Sequence, residues 1–463
     1  MSVCFLPFRH LFYIEGDVIT HNQVAKLTMP LHYDYSTEDY GYLMLAPLVA
    51  LIFVVLSALQ ILMCKWLLLG RLKEGVYSIK SGFYLRKWVV DKLMETSLDM
   101  LQTLYATLYL NPWYRALGVK VGQRAEISTA AFILPDLLHI GEDSFIADGA
   151  ALGPARVIDG KLILRKTEIG ARSFIGNSAY VTVGAHVGSN CLLGCQTSPP
   201  GEVTPDGTSW VGSPAMYLPK RQKPEHQFAE ERTYHPGRLL YVQRLIIEFF
   251  RIILPATAFV VFTTLMLSTS IQIEDIYGPM ITILFFPLIY LVFGLAAIVL
   301  TVVMKQLIVG RYKPDEQPLW SGFVWRTELV TGFCENFTDA FFTQHLQGTV
   351  FLPWYFRLLG MRIGRRACIM TMDFTEFDLV RLGDDVALNE DCTIQTHLFE
   401  DRVMKISTVE IGSRVSIGTY TLILYGTVIE DDVKIGDLSL LMKGERLYQG
   451  SQWAGAPVKR VRV

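Results

Sequence analysis

Aliphatic residues recur every six positions through two long segments of this chain, a period that no ordinary helix or strand possesses. Ile169, Ile175, Val181, Val187 and Leu193 form one run, and Ile411, Ile417, Ile423, Ile429, Ile435 and Leu441 form another. Val121, Ile127 and Ile133 keep the spacing upstream, as do Ile140, Ile146 and Leu152 after a one-residue slip, and Leu382, Leu388 and Ile394 in the second segment. Glycine follows Ile169, Ile175, Val187 and Leu193 directly. A helix repeats about every 3.6 residues and a strand every two. A period of six suits a triangular parallel β-helix, in which each flat side sends one aliphatic side chain inward and small residues turn the corners.

The chain is one unit written twice. Residues 47–71 match residues 287–311 at an offset of 240. Further on, Ser81-Gly82-Phe83 matches Ser321-Gly322-Phe323, Arg86 matches Arg326, and Pro112-Trp113-Tyr114 matches Pro353-Trp354-Tyr355. Trp210 to Pro214 matches Trp453 to Pro457, so the offset drifts only from 240 to 243. Each repeat combines a membrane span, a helical neck and a β-helical domain.

The composition is 51% hydrophobic and only 19% charged, against about 25% charged in an ordinary soluble domain. The deficit is local. Residues 41–64, 252–273 and 277–304 contain none of the 42 basic and 44 acidic residues. Each exceeds the roughly 20 apolar residues that a bilayer core requires; Pro255 and several Ser and Thr residues make the second the weakest. Lys65, Arg71 and Lys73 follow the first stretch, Arg244 and Arg251 precede the second, and Lys305, Arg311 and Lys313 follow the third. Glu38 and Asp39 precede the first stretch, and Glu274 and Asp275 occupy the turn between the other two. Basic flanks on one side predict a multi-pass integral membrane protein with both β-helical domains in the cytosol. The near balance of charge, with pI ≈ 6.5, offers no field for nucleic acid. Seven cysteines give no disulfide framework, and Cys191 and Cys195 lack the second pair a zinc site needs, so no metal is expected.

The expected organisation is an N-terminal segment at 1–40, a span at 41–64, an amphipathic neck at 65–118 and a first β-helix at 119–220. A polar linker at 221–245, a helical hairpin at 246–304, a second neck at 305–360 and a second β-helix at 361–463 follow. The second repeat has a two-span hairpin and the first only the later span, which predicts that residues 1–40 are what remains of a truncated module. The necks, with Leu93, Leu98, Leu101, Leu104 and Leu108 at helical spacing, suit either the membrane interface or ordinary packing.

These features resemble the hexapeptide-repeat, left-handed β-helix acyltransferase superfamily, whose exit motif is similar to Trp210–Ala215 and Trp453–Pro457. The wider layout resembles the membrane-bound C-terminal region of non-ribosomal peptide synthetases such as those that make poly-lysine. The resemblance implies transmembrane helices plus two tandem left-handed parallel β-helices. It also implies acyl or aminoacyl transfer from a phosphopantetheine thioester to a small-molecule amine. No cofactor is bound permanently in that reading; the donor rides on a carrier protein or coenzyme A. Carrier and adenylation partners, or missing N-terminal domains, and a homo-oligomer are further expectations. Trp453, Gly455 and Pro457 are expected beside the donor. Two rival functions remain: a coenzyme-A-dependent O- or N-acetyltransferase of a small molecule or lipid, and a non-catalytic scaffold that docks a synthetase.

Both repeats break their period at one place, with 17 residues between Leu152 and Ile169 and between Ile394 and Ile411. A loop is expected to leave the prism there. In the second repeat it carries His397, Glu400, Asp401, Arg402 and Lys405; His397 corresponds to Ala155 in the first. A histidine titrates near neutrality and suits a general base toward an amine attacking a thioester. Glu400 or Asp401 would orient the imidazole or recognise a cationic acceptor, and Arg402 and Lys405 would hold donor phosphates. Glu376 and Asn389, which lack counterparts in the first repeat (Leu134 and Ala147), are further substrate-site candidates. Asp378, matched by Asp136, suits a shared turn as well as a substrate contact; His139 and His186 are read as surface residues. Alternatively, His397 is a loop histidine bonded locally. The asymmetry predicts a catalytic second β-helix and a degenerate first one.

Overall fold

The computed structural model describes residues 40–130, 132–221, 226 and 228–461. Leu45–Val463 form one compact unit. Residues 1–39, with Glu38 and Asp39 and nearly all of the segment read as a truncated module, lie outside the described residues.

The six-residue period becomes a coil through three parallel sheets. In the first repeat the chain visits strands Leu138–Ile140, Phe145–Ile146 and Ala151–Leu152, then returns to the first sheet at Thr167–Ile169. Partners in regular rungs are 18 residues apart, as Ile169 with Val187 and Ile411 with Ile429. The partner separation grows to 29 residues where the loop is inserted, as Ile140 with Ile169 and Leu382 with Ile411. Ile140, Ile146, Leu152, Ile175, Val181, Val187 and Leu193 are fully buried. Gly141 shows why the corners must be small: a Cβ there would lie 2.5 Å from the Ala171 nitrogen on the next rung.

The extruded loop is a β-hairpin in both repeats. Arg156–Ile158 pairs antiparallel with Lys161–Leu164, and His397–Glu400 with Val403–Ile406. A third strand from each neck, Gly75–Ser78 or Asp315–Pro318, completes the sheet. The sequence pattern gave no sign of these neck strands, since a four-residue edge strand has no interior period.

Among the described residues three helices are long and apolar enough to cross a membrane: α1 (Ala46–Leu68), and, after the neck helices α2 (Gly82–Met100) and α3 (Leu110–Leu117), α4 (Arg238–Tyr277) and α5 (Pro279–Ile308). The α4 helix begins inside the stretch read as a polar linker. Arg244 and Glu248 are one helical turn apart and are buried together against Glu126 of the first β-helix, so apparently linker-like charges stabilise a helix. The second neck holds α6 (Gly322–Phe333) and α7 (Leu352–Leu359). Ser81 and Ser321 cap α2 and α6 by accepting from the Tyr84 and Val324 amides. A π-helical turn, Cys334–Asp339, continues α6, whereas the matching residues of the first repeat stay α-helical in α2.

An equivalent ion pair joins an apolar helix to the β-helix in each repeat. Lys65 of α1 meets Asp136 at 2.9 Å, and Lys305 of α5 meets Asp378 at 2.6 Å, with both lysines fully buried. Asp136 also accepts from the Leu72 amide and Asp378 from the Tyr312 amide. This duplication gives Asp378 a structural turn role shared by both copies.

Candidate active site

The second hairpin reaches across to the first β-helix and closes a cavity of about 1160 Å³ between the two. Phe399 stacks on Phe145 with ring centroids 5.3 Å apart. The hairpin turn is Asp401-Arg402, with φ of 48° and 62°, matching Asp159 (49°) and Gly160 (70°) in the first repeat. Two-residue hairpins with a type I′ turn require this left-handed pair, so Asp401 is a turn residue common to both copies. Arg402 replaces the glycine because its buried side chain clasps the first β-helix. It donates to the Arg124 carbonyl, lies 3.6 Å from Glu126 and sits over the Tyr234 ring.

His397 starts the hairpin and lines the cavity. Its Nδ1 lies 2.9 Å from Glu376 Oε2. Glu376 has a fully buried side chain and also accepts from the Thr396 hydroxyl at 2.6 Å; Thr396 in turn meets Thr375 at 2.7 Å. Burial alone would raise the Glu376 pKa, but the His397 charge and the hydrogen bonds from His397 and Thr396 hold it below its ordinary value. Burial likewise disfavours the imidazolium, but Glu376 outweighs it and raises the His397 pKa. With Nδ1 committed to Glu376, Nε2 is the nitrogen left for a ligand.

The acid that meets His397 is therefore Glu376, where Glu400 or Asp401 was expected. Glu400 is held by Lys405 at 2.9 Å and by Lys443, because its strand position faces the neighbouring rungs. Lys405 is buried in that pair and Arg402 in the clasp, so neither is open to a donor phosphate. Asn389 donates to the Ile417 carbonyl at 2.6 Å and extends a rung ladder. Trp453 bonds Ser451, and Pro457 abuts Gly212 of the first exit motif. Gly455 lies on the cavity wall with Ala456 and Ser213, which places the meeting of the two exit motifs at the rim.

The cavity is acidic. Its two arginines are already paired, Arg244 with Glu126 and Glu248 and Arg251 with Glu328 at 2.8 Å. Asp148, Glu335, Asp373, Asp391 and Asp437 also line it, and among the described residues none of these five has a basic partner within ion-pair distance. Glu335, on the π-helical turn, is open to the cavity but walled in by protein; burial pushes its carboxyl up to about 8, helped by the Asp339 charge. Asp339 is raised to about 7, also chiefly by burial. Sequence reasoning missed these acids because they come from five separate segments. Comparing the repeats does not single out Glu335 either, because its counterpart in the first neck, Glu95, is also a glutamate, there exposed and paired with Lys92.

No family model matches the chain. It is similar to a delta-poly-L-ornithine synthetase from Acinetobacter baumannii, 37% identical over 419 residues, which cover 90% of this chain. The chain spans about a third of that relative's length, 31%. Similar solved structures include a maltose O-acetyltransferase from Clostridium difficile (15% identity, TM-score 0.24, 34% of this chain and 96% of that one). A hexapeptide-repeat acetyltransferase from Vibrio cholerae is another (14% identity, TM-score 0.22, 26% and 84%). The expected resemblance to a poly-amino-acid synthetase layout agrees with the match to the poly-ornithine synthetase.

Proposed function

We propose that this chain is the amide-forming part of a membrane-bound synthetase, transferring an aminoacyl or acyl group from a phosphopantetheine thioester to the uncharged amine of an acceptor that also carries a cationic group. The single observation that carries this reading is the Glu376–His397 pair, 2.9 Å apart, on the wall of an acidic cavity. The pair exists only in the second repeat. In this mechanism Glu376 accepts from Nδ1–H and fixes the tautomer, so Nε2 takes a proton as the amine attacks the thioester carbonyl. A C–N bond forms, the C–S bond breaks, and the proton on Nε2 passes to the departing thiolate. The unpaired acids would hold the ammonium groups of the acceptor, in keeping with a relative named for polymerising ornithine. The β-helices would be left-handed, as in the superfamily, and would face the cytosol, as the basic flanks of all three spans require.

The test uses the full chain in detergent, supplied with aminoacyl-phosphopantetheine and a diamino acid, with products read by mass spectrometry. His397→Ala abolishes product while the protein still inserts into membranes. An alanine variant with full activity overturns the assignment.

A further inference from the structure

Glu376 is fully buried, and its Oε2 receives both His397 and Thr396, while among the described residues no other residue donates to Oε1. Its position also depends on its backbone, which begins the one-turn helix Phe377–Leu379; the Leu379 amide closes that turn on the Glu376 carbonyl at 2.9 Å. Asp378 lies in the same turn and is gripped from the membrane side by Lys305 at 2.6 Å and the Tyr312 amide at 3.1 Å. Removing one member of such a buried pair leaves an uncompensated charge, and the turn must move to hydrate it.

We infer that the Lys305–Asp378 ion pair is a positioning pair that sets the Glu376–His397 geometry from the end of a membrane helix. This rests on the proposed role of His397. The first repeat supplies an internal control. Lys65 and Asp136 form the same pair at 2.9 Å and Asp136 accepts from the Leu72 amide at 2.9 Å, but Leu134 and Ala155 stand where the second repeat has Glu376 and His397. A purely structural tether predicts the same consequences in both repeats. A positioning tether predicts an effect on the imidazole in one.

The experiment compares Asp378→Asn with Asp136→Asn in the full chain, reading thermal stability, kcat, KM for the amine and the His397 titration by NMR of labelled histidine. The charged groups facing His397 are Glu376 from the turn, Asp148 from the first β-helix and Glu328 from α6, and all three remain in both variants. Both variants should lose stability, but only Asp378→Asn should lower kcat, by about 10- to 100-fold, with KM within about twofold. Its imidazole pKa should fall, and Asp378→Glu should restore part of kcat. Equal kcat and an unshifted imidazole in the two asparagine variants overturn the inference. If Asp378→Asn does not fold, Lys305→Met/Asp378→Leu, which removes both charges, gives the same two readings. Full activity in His397→Gln would instead refute the catalytic role of His397; the NMR comparison still decides the tether.

Discussion

Replacing Glu376 by Gln isolates the charge of the orienting acid while keeping its shape. In the wild type Glu376 Oε2 accepts two donors, His397 Nδ1 at 2.9 Å and Thr396 Oγ1 at 2.6 Å. A glutamine oxygen in that place still accepts from Nδ1–H, but the bond loses its charge assistance. Hydrogen bonds to charged groups contribute about 1.5–3 kcal/mol and neutral ones about 0.5–1.5, so the loss is about 1–2 kcal/mol, or roughly 5- to 30-fold in rate. If the amide turns its NH₂ toward Nδ1, the imidazole is driven into the opposite tautomer. Nε2 then carries the proton and cannot act as base, and the loss approaches about 10⁴-fold.

Both outcomes change the pH profile of kcat/KM. Glu376 raises the His397 pKa against the opposing effect of burial, so its neutralisation moves the acid limb to lower pH. Stability follows with definite sign. The raised histidine contributes fully below its unfolded value of about 6.5 and loses its contribution as pH rises through the folded value. The lowered glutamate contributes above its unfolded value of about 4.5 and loses its contribution as pH falls through the folded value. The wild-type advantage in thermal midpoint over Glu376→Gln is therefore largest between about pH 4.5 and 6.5. An acid limb that stays in place, or a stability difference flat across that window, refutes the pairing of Glu376 with His397 as the functional unit.

Three further outcomes follow from the cavity and its walls. Glu335, pushed up to about 8 by burial, should release a proton when a diamine enters at pH 7; calorimetry in buffers of different ionisation enthalpy detects the release, and Glu335→Gln should abolish it. Asp373→Asn should raise KM for a cationic amine several-fold while leaving an uncharged amine unaffected, and equal effects on both would remove the acids from substrate recognition. Arg402→Met removes a cation 3.6 Å from Glu126 at a buried contact between the β-helices, but Glu126 keeps Arg244, so stability should fall by about 1.5–3 kcal/mol, the contribution of a charged hydrogen bond. A denaturation midpoint unchanged from wild type would show that the clasp contributes nothing.

The fold was legible because its period is enforced by geometry. An inward residue every six positions leaves little freedom, and Ile169, Val187, Ile411 and Ile429 fell into register on that basis alone. The site was legible only where the two repeats could be compared. Glu376 and His397 stood out against Leu134 and Ala155, but the sequence could not say that the two would meet, because 21 residues and a coil turn separate them. Glu400 and Asp401 looked better placed, being adjacent to His397 in sequence. Strand alternation turned Glu400 toward Lys405 and Lys443, and the turn geometry claimed Asp401. The acids of the cavity wall were invisible for a different reason: their convergence is created by docking of one β-helix on the other.

That docking explains why the repeats diverged without losing their fold. Residues present in both copies carry architecture: Asp136 and Asp378 tether the spans, Ser81 and Ser321 cap the necks, and Asp159 and Asp401 turn the hairpins. Residues present in one copy cluster where the copies meet. Arg402 replaces a glycine only on the hairpin that has a neighbour to clasp, and Phe145 and Glu126 of the first β-helix receive it. The first hairpin ends in Val157 and Ile158, which stay exposed. A head-to-tail contact between two like domains is never mutual: one domain offers its hairpin and the other its sheet. The cavity at that contact receives His397 from the second repeat and part of its acidic wall, Glu126 and Asp148, from the first. The first copy has Ala155 in place of His397, and the tip of its hairpin stays exposed.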